Sequence, residues 1–294
     1  MIEQLKKRIQ LQADFLLENL SGDIREGEKW ERKRELFSRR NCRLVKVRAT
    51  GKIKNRRKEP DGETVLYQVH YRYLINQLGH SYLEEELEER RAYFSGGRLV
   101  SDVEWPPAAE GNPGGNDRPF PLPEESLPRV PFIYDRRLAV RYAERWWNSH
   151  NPQYQKFEND CTNYISQCLR AGGAPMRGYP DRGKGWWYRG KSWSYSWAVA
   201  NALRNYLDTS KAGLRARKVD DPRELQPGDV ICYDFEGDGR FNHNTIVTAK
   251  DAFGYPLVNA HTTNSRMRYW SYEDSTAYTK NIRYNFFHIV DDRT

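Results

Sequence analysis

Cys161 opens the run Cys161-Thr162-Asn163-Tyr164-Ile165-Ser166-Gln167-Cys168-Leu169-Arg170-Ala171, which lies between Asn159-Asp160 and Gly172-Gly173. Asn159 or Asp160 suits a helix N-cap and the glycine pair suits a stop, so the run predicts a short helix that buries Ile165, Cys168 and Leu169. Cys161 then falls in the first turn. The unpaired N–H groups and dipole of a helix start favour an anion there, which predicts a lowered thiol pKa and a nucleophilic thiolate. The same N–H groups are placed to hold an oxyanion. Cys168 lies two turns deeper, Cys232 falls in an apolar strand and Cys42 begins another, so all three read as inert thiols.

A thiol nucleophile needs a base, and the base needs a partner to fix its tautomer. His243 follows the polar loop Asp234–Asn242 and leads the strand-like run Asn244–Ala249. The next strand, Leu257–Thr262, carries Asn259 and His261 on one face at i, i+2, and either is a candidate to orient His243. Residue types therefore occur in the order cysteine, histidine, polar partner. Asp234-x-Glu236-x-Asp238-Gly239 imitates the start of a calcium loop, but its twelfth position is Thr245, so it reads as a tight acidic turn placed to raise the His243 pKa. No metal site and no cofactor are expected, since no C-x-x-C pair occurs.

The elements that carry these residues form the second of two domains. Residues 105–130 hold seven prolines and three glycines, a composition that excludes helix and central strand and predicts a linker. Residues 131–294 start with a helix over 135–149, which places Leu138, Tyr142 and Trp146 on one stripe. They continue through the cysteine helix and a helix near Trp197–Leu207 and end in strands, an α+β order. Trp186 and Trp187 are candidates to line a substrate groove and equally to pack a core. Residues 1–104 predict a small α+β domain: helices over 3–20 and 23–39, then strand-like runs near 43–54, 63–74 and 82–94, the last rich enough in glutamate to be helical instead. His70 and His80 have no nearby nucleophile and read as surface or packing residues.

Composition narrows the function classes. The net charge of +8 is spread over both domains: residues 1–104 carry 22 basic and 18 acidic side chains, and residues 131–294 carry 24 and 18. A solvated surface is favoured over nucleic-acid binding, the basic run Lys52–Lys58 included. No apolar run approaches the ~20 residues of a membrane span, and the N-terminus lacks the apolar block of a secretory signal. The sequence as it stands is expected to be cytoplasmic, or extracellular or cell-wall if it is a trimmed form.

A resemblance adds to this reading. Tyr134-Asp135-Arg136, Ala139-Val140, Tyr142-Ala143, Trp146, Asn151-Pro152, Tyr154, Phe157 and Asn159-Asp160-Cys161-Thr162-Asn163, with Ser166-Gln167 and Ala171-Gly172-Gly173, resemble an amidase domain family common in Gram-positive bacteria. The likeness continues through Pro227-Gly228-Asp229, Tyr233-Asp234, Gly237-Asp238-Gly239, His243 and His261-Thr262-Thr263, covers roughly residues 132–290 and leaves 1–104 unmatched. It implies a papain-like fold of the NlpC/P60 and CHAP type, with N-terminal helices and an antiparallel sheet. Cys161 would be the nucleophile and His243 the general base, with His261 preferred over Asn259 as third member. Asp160 and Asn163 would hold the cysteine helix, Tyr154 would lie against the thiolate, and the substrate would be a peptide or peptidoglycan-like amide. An acyltransferase working through the same acyl-enzyme, and a binding module with a vestigial site, are the competing readings; the partner of the N-terminal domain stays unknown.

Overall fold

The computed structural model describes residues 1–18, 27–105 and 131–293, so the expected linker lies outside the described residues apart from Trp105. The chain divides into two compact units, one of Met1–Glu110 with Ser271–Tyr278, the other of Gly111–Trp270 with Thr279–Thr294.

In the first unit, helices α1 (Ile2–Glu18) and α2 (Gly27–Arg39) precede four strands, β1 (Cys42–Glu59), β2 (Gly62–Gln77), β3 (His80–Ser95) and β4 (Arg98–Glu104). The strands pair in sequence order as an antiparallel meander. Alternation along β2 buries Val65, Tyr67, Val69, Tyr71, Tyr73 and Ile75 against Leu5, Phe15, Leu16, Trp30 and Phe37 of the helices. The glutamate-rich run is a strand, and its charges explain how. Glu84, Glu86 and Glu88 lie opposite Tyr73, Tyr71 and Val69 and are buried there by ammonium groups from α2. Lys33 Nζ meets Glu84 at 2.6 Å and Asp274 at 2.7 Å; Lys29 Nζ meets Glu88 at 2.7 Å and Glu104 at 3.0 Å. Ser271–Tyr278, expected in the C-terminal domain, belongs to this unit: besides Asp274, the carbonyls of Glu273 and Ser275 accept from Arg32.

The second unit opens with α3 (Arg136–Trp146), whose N-cap Asp135 accepts from Leu138 N, and α4 (Cys161–Ala171). A two-residue pair, β5 (Tyr188–Arg189) and β6 (Ser192–Trp193), and helices α5 (Tyr195–Ala198) and α6 (Ala200–Thr209) follow. The strands are β7 (Arg215–Val219), β8 (Val230–Asp234), β9 (His243–Lys250), β10 (Pro256–Ala260), β11 (Ser265–Tyr269) and β12 (Arg283–Val290). They form an antiparallel sheet in the order β11-β10-β9-β8-β12-β7. Ile165, Cys168 and Leu169 of α4 pack with Val230, Cys232, Ile246, Phe287 and Ile289 of the sheet and with Trp186, Trp197 and Leu203. The architecture is thus mixed helix and antiparallel sheet. Gly172, directly after α4, has no room for a side chain, because a Cβ there would come within 2.4 Å of the Tyr134 ring; Gly173 next to it has φ +95°, which glycine adopts without strain. Those two positions stop the helix.

Trp186 and Trp187 are 0% and 2% exposed. Trp186 Nε1 donates to Ser166 Oγ and Trp187 Nε1 to the carbonyls of Asp181 and Lys184, so both are packing residues and neither walls a groove. The reason is the hairpin β5–β6, which folds this aromatic segment onto Trp197. No helix among the described residues is long and apolar enough to cross a membrane.

Candidate active site

Cys161 occupies the first position of α4 and is 5% exposed. The helix head is fixed from behind. Asp160 sits at the N-cap, but its carboxylate does not cap α4. Its Oδ1 accepts from Phe157 N at 3.1 Å and Asn163 Nδ2 at 2.9 Å, and its Oδ2 faces His261 Nδ1 at 2.8 Å. Asn163 also donates to Gln155 O and accepts from Trp197 Nε1 at 2.9 Å. Asp160 and Asn163 thus hold the cysteine helix to the loop before it, to α5 and to the segment after β10. Burial would raise the Asp160 pKa, yet the bonds from His261 and Asn163 outweigh it and keep the carboxyl below its usual range.

The sulfur itself meets Thr162 Oγ1 at 3.6 Å, and the backbone N–H groups of Asn244 and Thr162 act on it to favour the thiolate. No imidazole is among its hydrogen-bond partners within the described residues. Burial pushes the Cys161 thiol up, and the hydroxyl and N–H groups only partly offset it. The expectation of a lowered thiol pKa is therefore corrected: the helix start supplies N–H groups, but burial of the sulfur outweighs them.

His243 is the first residue of β9, opposite Tyr233 of β8. Successive side chains of a strand leave on opposite faces. Asn244 points to the helices, donating from Nδ2 to Thr162 Oγ1 at 3.0 Å, and Ile246 joins the core beneath α4. His243 therefore leaves on the other face, where its ring lies 5.6 Å from that of Tyr233 and 6.0 Å from that of Phe235. Burial lowers its pKa to about 3, and Arg268 adds repulsion. The Asp234 turn, expected to raise it, has no such effect: the Asp234 carboxylate accepts from Gly237, Asp238 and Gly239 N–H groups and is absorbed by its own loop.

The two candidates for orienting His243 are engaged elsewhere. Asn259 donates to Glu144 Oε1 at 2.8 Å and accepts from Met267 N and Thr248 Oγ1. His261 stacks on Tyr164 of α4 with ring centroids 4.0 Å apart, and its Nε2 lies 2.8 Å from Trp146 O. Their shared face is the helix face, the wrong one for His243, which is the physical reason both assignments fail. Tyr154 stacks on Trp197 and tilts against Tyr188, so its ring supports the aromatic cluster and not the sulfur.

What joins thiol and imidazole is the backbone. A strand N–H lies in the plane of the sheet, between its two faces. The arrangement holds a neutral thiol at the head of α4 and a neutral imidazole at the start of β9, with the N–H groups of Thr162 and Asn244 acting on the sulfur.

Sequence reasoning missed Thr162, Asn244 and His150. Thr162 and Asn244 adjoin the two named residues, and their hydrogen bond is the direct tie between α4 and β9. His150, just past α3, brings Nδ1 to 3.4 Å from Asp160 Oδ2. Nothing in its local sequence marks it, since its partner is ten residues on.

Residues 133–287 match the family described as "Putative amidase domain". Over 269 residues, 90% of this chain and 86% of the other, the sequence is 54% identical to "Uncharacterized protein YhbB" of Bacillus subtilis (strain 168). Over 140 residues, 45% of this chain and 31% of the other, it is 31% identical to "Uncharacterized protein YjcM" of the same organism. No solved structure matches.

Proposed function

Since the chain belongs to that amidase domain family, we propose that it hydrolyses amides by a cysteine mechanism on a papain-like scaffold of the NlpC/P60 and CHAP type. The supporting observation is that Cys161 heads α4 where that helix is tied to the start of β9, through Asn244 Nδ2 donating to Thr162 Oγ1 at 3.0 Å, and β9 begins with His243. A cysteine heading a helix that packs on an antiparallel sheet is the arrangement such a scaffold requires.

In this mechanism His243 swings toward the sulfur and takes its proton as Sγ attacks the amide carbon. The carbonyl π bond opens onto oxygen, and the N–H groups of Thr162 and Asn244 stabilise the charge. The C–N bond then breaks, the amine leaves with the proton from His243, and a thioester remains. Water, deprotonated by the same imidazole, attacks the thioester and restores the thiol. In the closed arrangement burial lowers the His243 pKa to about 3 and makes it a weak base, so the mechanism requires the imidazole to regain basicity as it swings out of its enclosed position toward the sulfur. The substrate we propose, on the family resemblance, is an amide of cell-wall peptides.

The test is incubation of the full chain, and of Cys161→Ala and His243→Ala, with purified muropeptides and a panel of peptide amides. We expect new amine termini with the wild type and a loss of at least about a thousandfold in Cys161→Ala. Undiminished hydrolysis in Cys161→Ala sinks the thiol mechanism; cleavage of peptide amides with muropeptides untouched sinks the wall substrate alone.

A further inference from the structure

Three side chains that the proposed mechanism does not use converge at the head of α4, and we infer that His150, Asp160 and His261 form a site for one divalent transition-metal ion of the zinc class. Asp160 Oδ2 lies 2.8 Å from His261 Nδ1 and 3.4 Å from His150 Nδ1, and the three donor atoms all fall within 4.8 Å of one another. Ligands about 2.0–2.1 Å from a tetrahedral zinc stand roughly 3.4 Å apart. The present spacing brackets that figure, and His261 needs to withdraw by only a few tenths of an ångström.

The surroundings are those of a built ligand set. His261 Nε2 donates to the Trp146 carbonyl at 2.8 Å, which fixes this nitrogen as the N–H and makes Nδ1 the coordinating atom. Asp160 has Oδ1 occupied by Phe157 N and Asn163 Nδ2, which turns Oδ2 toward the imidazoles. The rings of His150 and His261 meet edge to face at 5.1 Å, so both Nδ1 atoms reach the one oxygen without stacking. The side chains of Asp160 and His261 are 4% and 2% exposed, whereas that of His150 is 33% exposed and marks the side from which an ion enters.

Two imidazoles with one carboxylate select the metal class. Calcium and magnesium prefer all-oxygen shells, while zinc, cobalt and nickel accept this donor set and leave a fourth position for water. Binding replaces the proton between His261 Nδ1 and Asp160 Oδ2 with the cation. The ion then ties the segment after α3, the N-cap of α4 and the segment after β10 at one point, a clamp on the helix that carries Cys161. The inference does not depend on the thiol mechanism.

The experiment uses the full chain, stripped with a chelator and titrated with Zn²⁺ or Co²⁺ while melting temperature and visible absorption are followed. We expect one equivalent of either ion, a rise in melting temperature that Mg²⁺ does not give, and a cobalt spectrum of a four- or five-coordinate nitrogen–oxygen site without a thiolate charge-transfer band. His150→Ala weakens Zn²⁺ binding at least about tenfold and leaves the metal-free melting temperature within a degree or two; Asp160→Asn weakens it too, and Cys161→Ser binds like the wild type. Failure to bind below about 1 mM, affinity unchanged in His150→Ala, or a thiolate band overturns the site.

Discussion

The two units bury ionisable groups in contrasting ways. In the first, every ammonium group drawn under α2 meets several carboxylates. Lys29 faces Glu86, Glu88 and Glu104, and Lys33 faces Glu84, Glu86 and Asp274. Charge survives burial there. The Lys29 pKa stands well above its ordinary value although burial pulls it down, because the three carboxylates outweigh burial. Glu88 is held at about 2: burial opposes this, and Lys29 with Arg90 overcomes it. In the second unit, Cys161 and His243 are also enclosed, and the charges that act on them, Asp160 on the thiol and Arg268 on the imidazole, add to the effect of burial. Burial wins, raising the thiol and lowering the imidazole to about 3. The lesson is that depth alone does not decide ionisation; the number of counter-charges within reach does.

The largest expected effect breaks the first side of this comparison. Lys33→Met keeps the length of the side chain and removes the charge, leaving Glu84 and Asp274 buried without it. A loss of about 3–5 kcal/mol in the stability of the full chain is expected from urea unfolding. A loss below about 1 kcal/mol would show that the ladder of glutamates contributes shape and little charge pairing.

A smaller effect tests how far the second unit relies on neutral hydrogen bonds. Asn163→Ala removes the donors to Asp160 and Gln155 and the acceptor of Trp197 Nε1. About 1–3 kcal/mol of stability should go, with Trp197 fluorescence shifting as its N–H loses a buried partner. An unchanged spectrum would show that Trp197 is held by packing alone.

The finest test concerns rates. With the thiol pKa raised, the reactive thiolate is scarce at neutral pH, and alkylation of Cys161 by iodoacetamide should climb about tenfold per pH unit from 7 to 9. With the imidazole lowered to about 3, it is neutral at every pH above that value, so kcat/KM should show no acid limb due to His243 between pH 5 and 8. Fast, pH-independent alkylation near neutrality would mean an ion pair in place of the neutral pair.

Much of this was legible in the chain. Alternation along Val65–Ile75 marked β2 because one face must be buried, and Gly172-Gly173 marked the end of α4 because a side chain at Gly172 collides with Tyr134. The glutamate-rich run was ambiguous because the lysines that make it a strand come from α2, some fifty residues earlier. Period-two spacing placed Asn259 and His261 together but could not say which face of the sheet they share. That choice depends on where the helices pack, and it separated them from His243. The fall of Trp186 and Trp187 into the interior followed from a two-residue hairpin too short to leave a periodic signal.

The enclosure of Cys161 has one more consequence. Peroxides attack thiolates far faster than thiols, and they must reach the sulfur to do so. A sulfur that is 5% exposed and protonated at rest is shielded on both counts. The protein should withstand oxidants that convert open, ionised cysteines to sulfenic acid, and its susceptibility should rise only while something holds the site open.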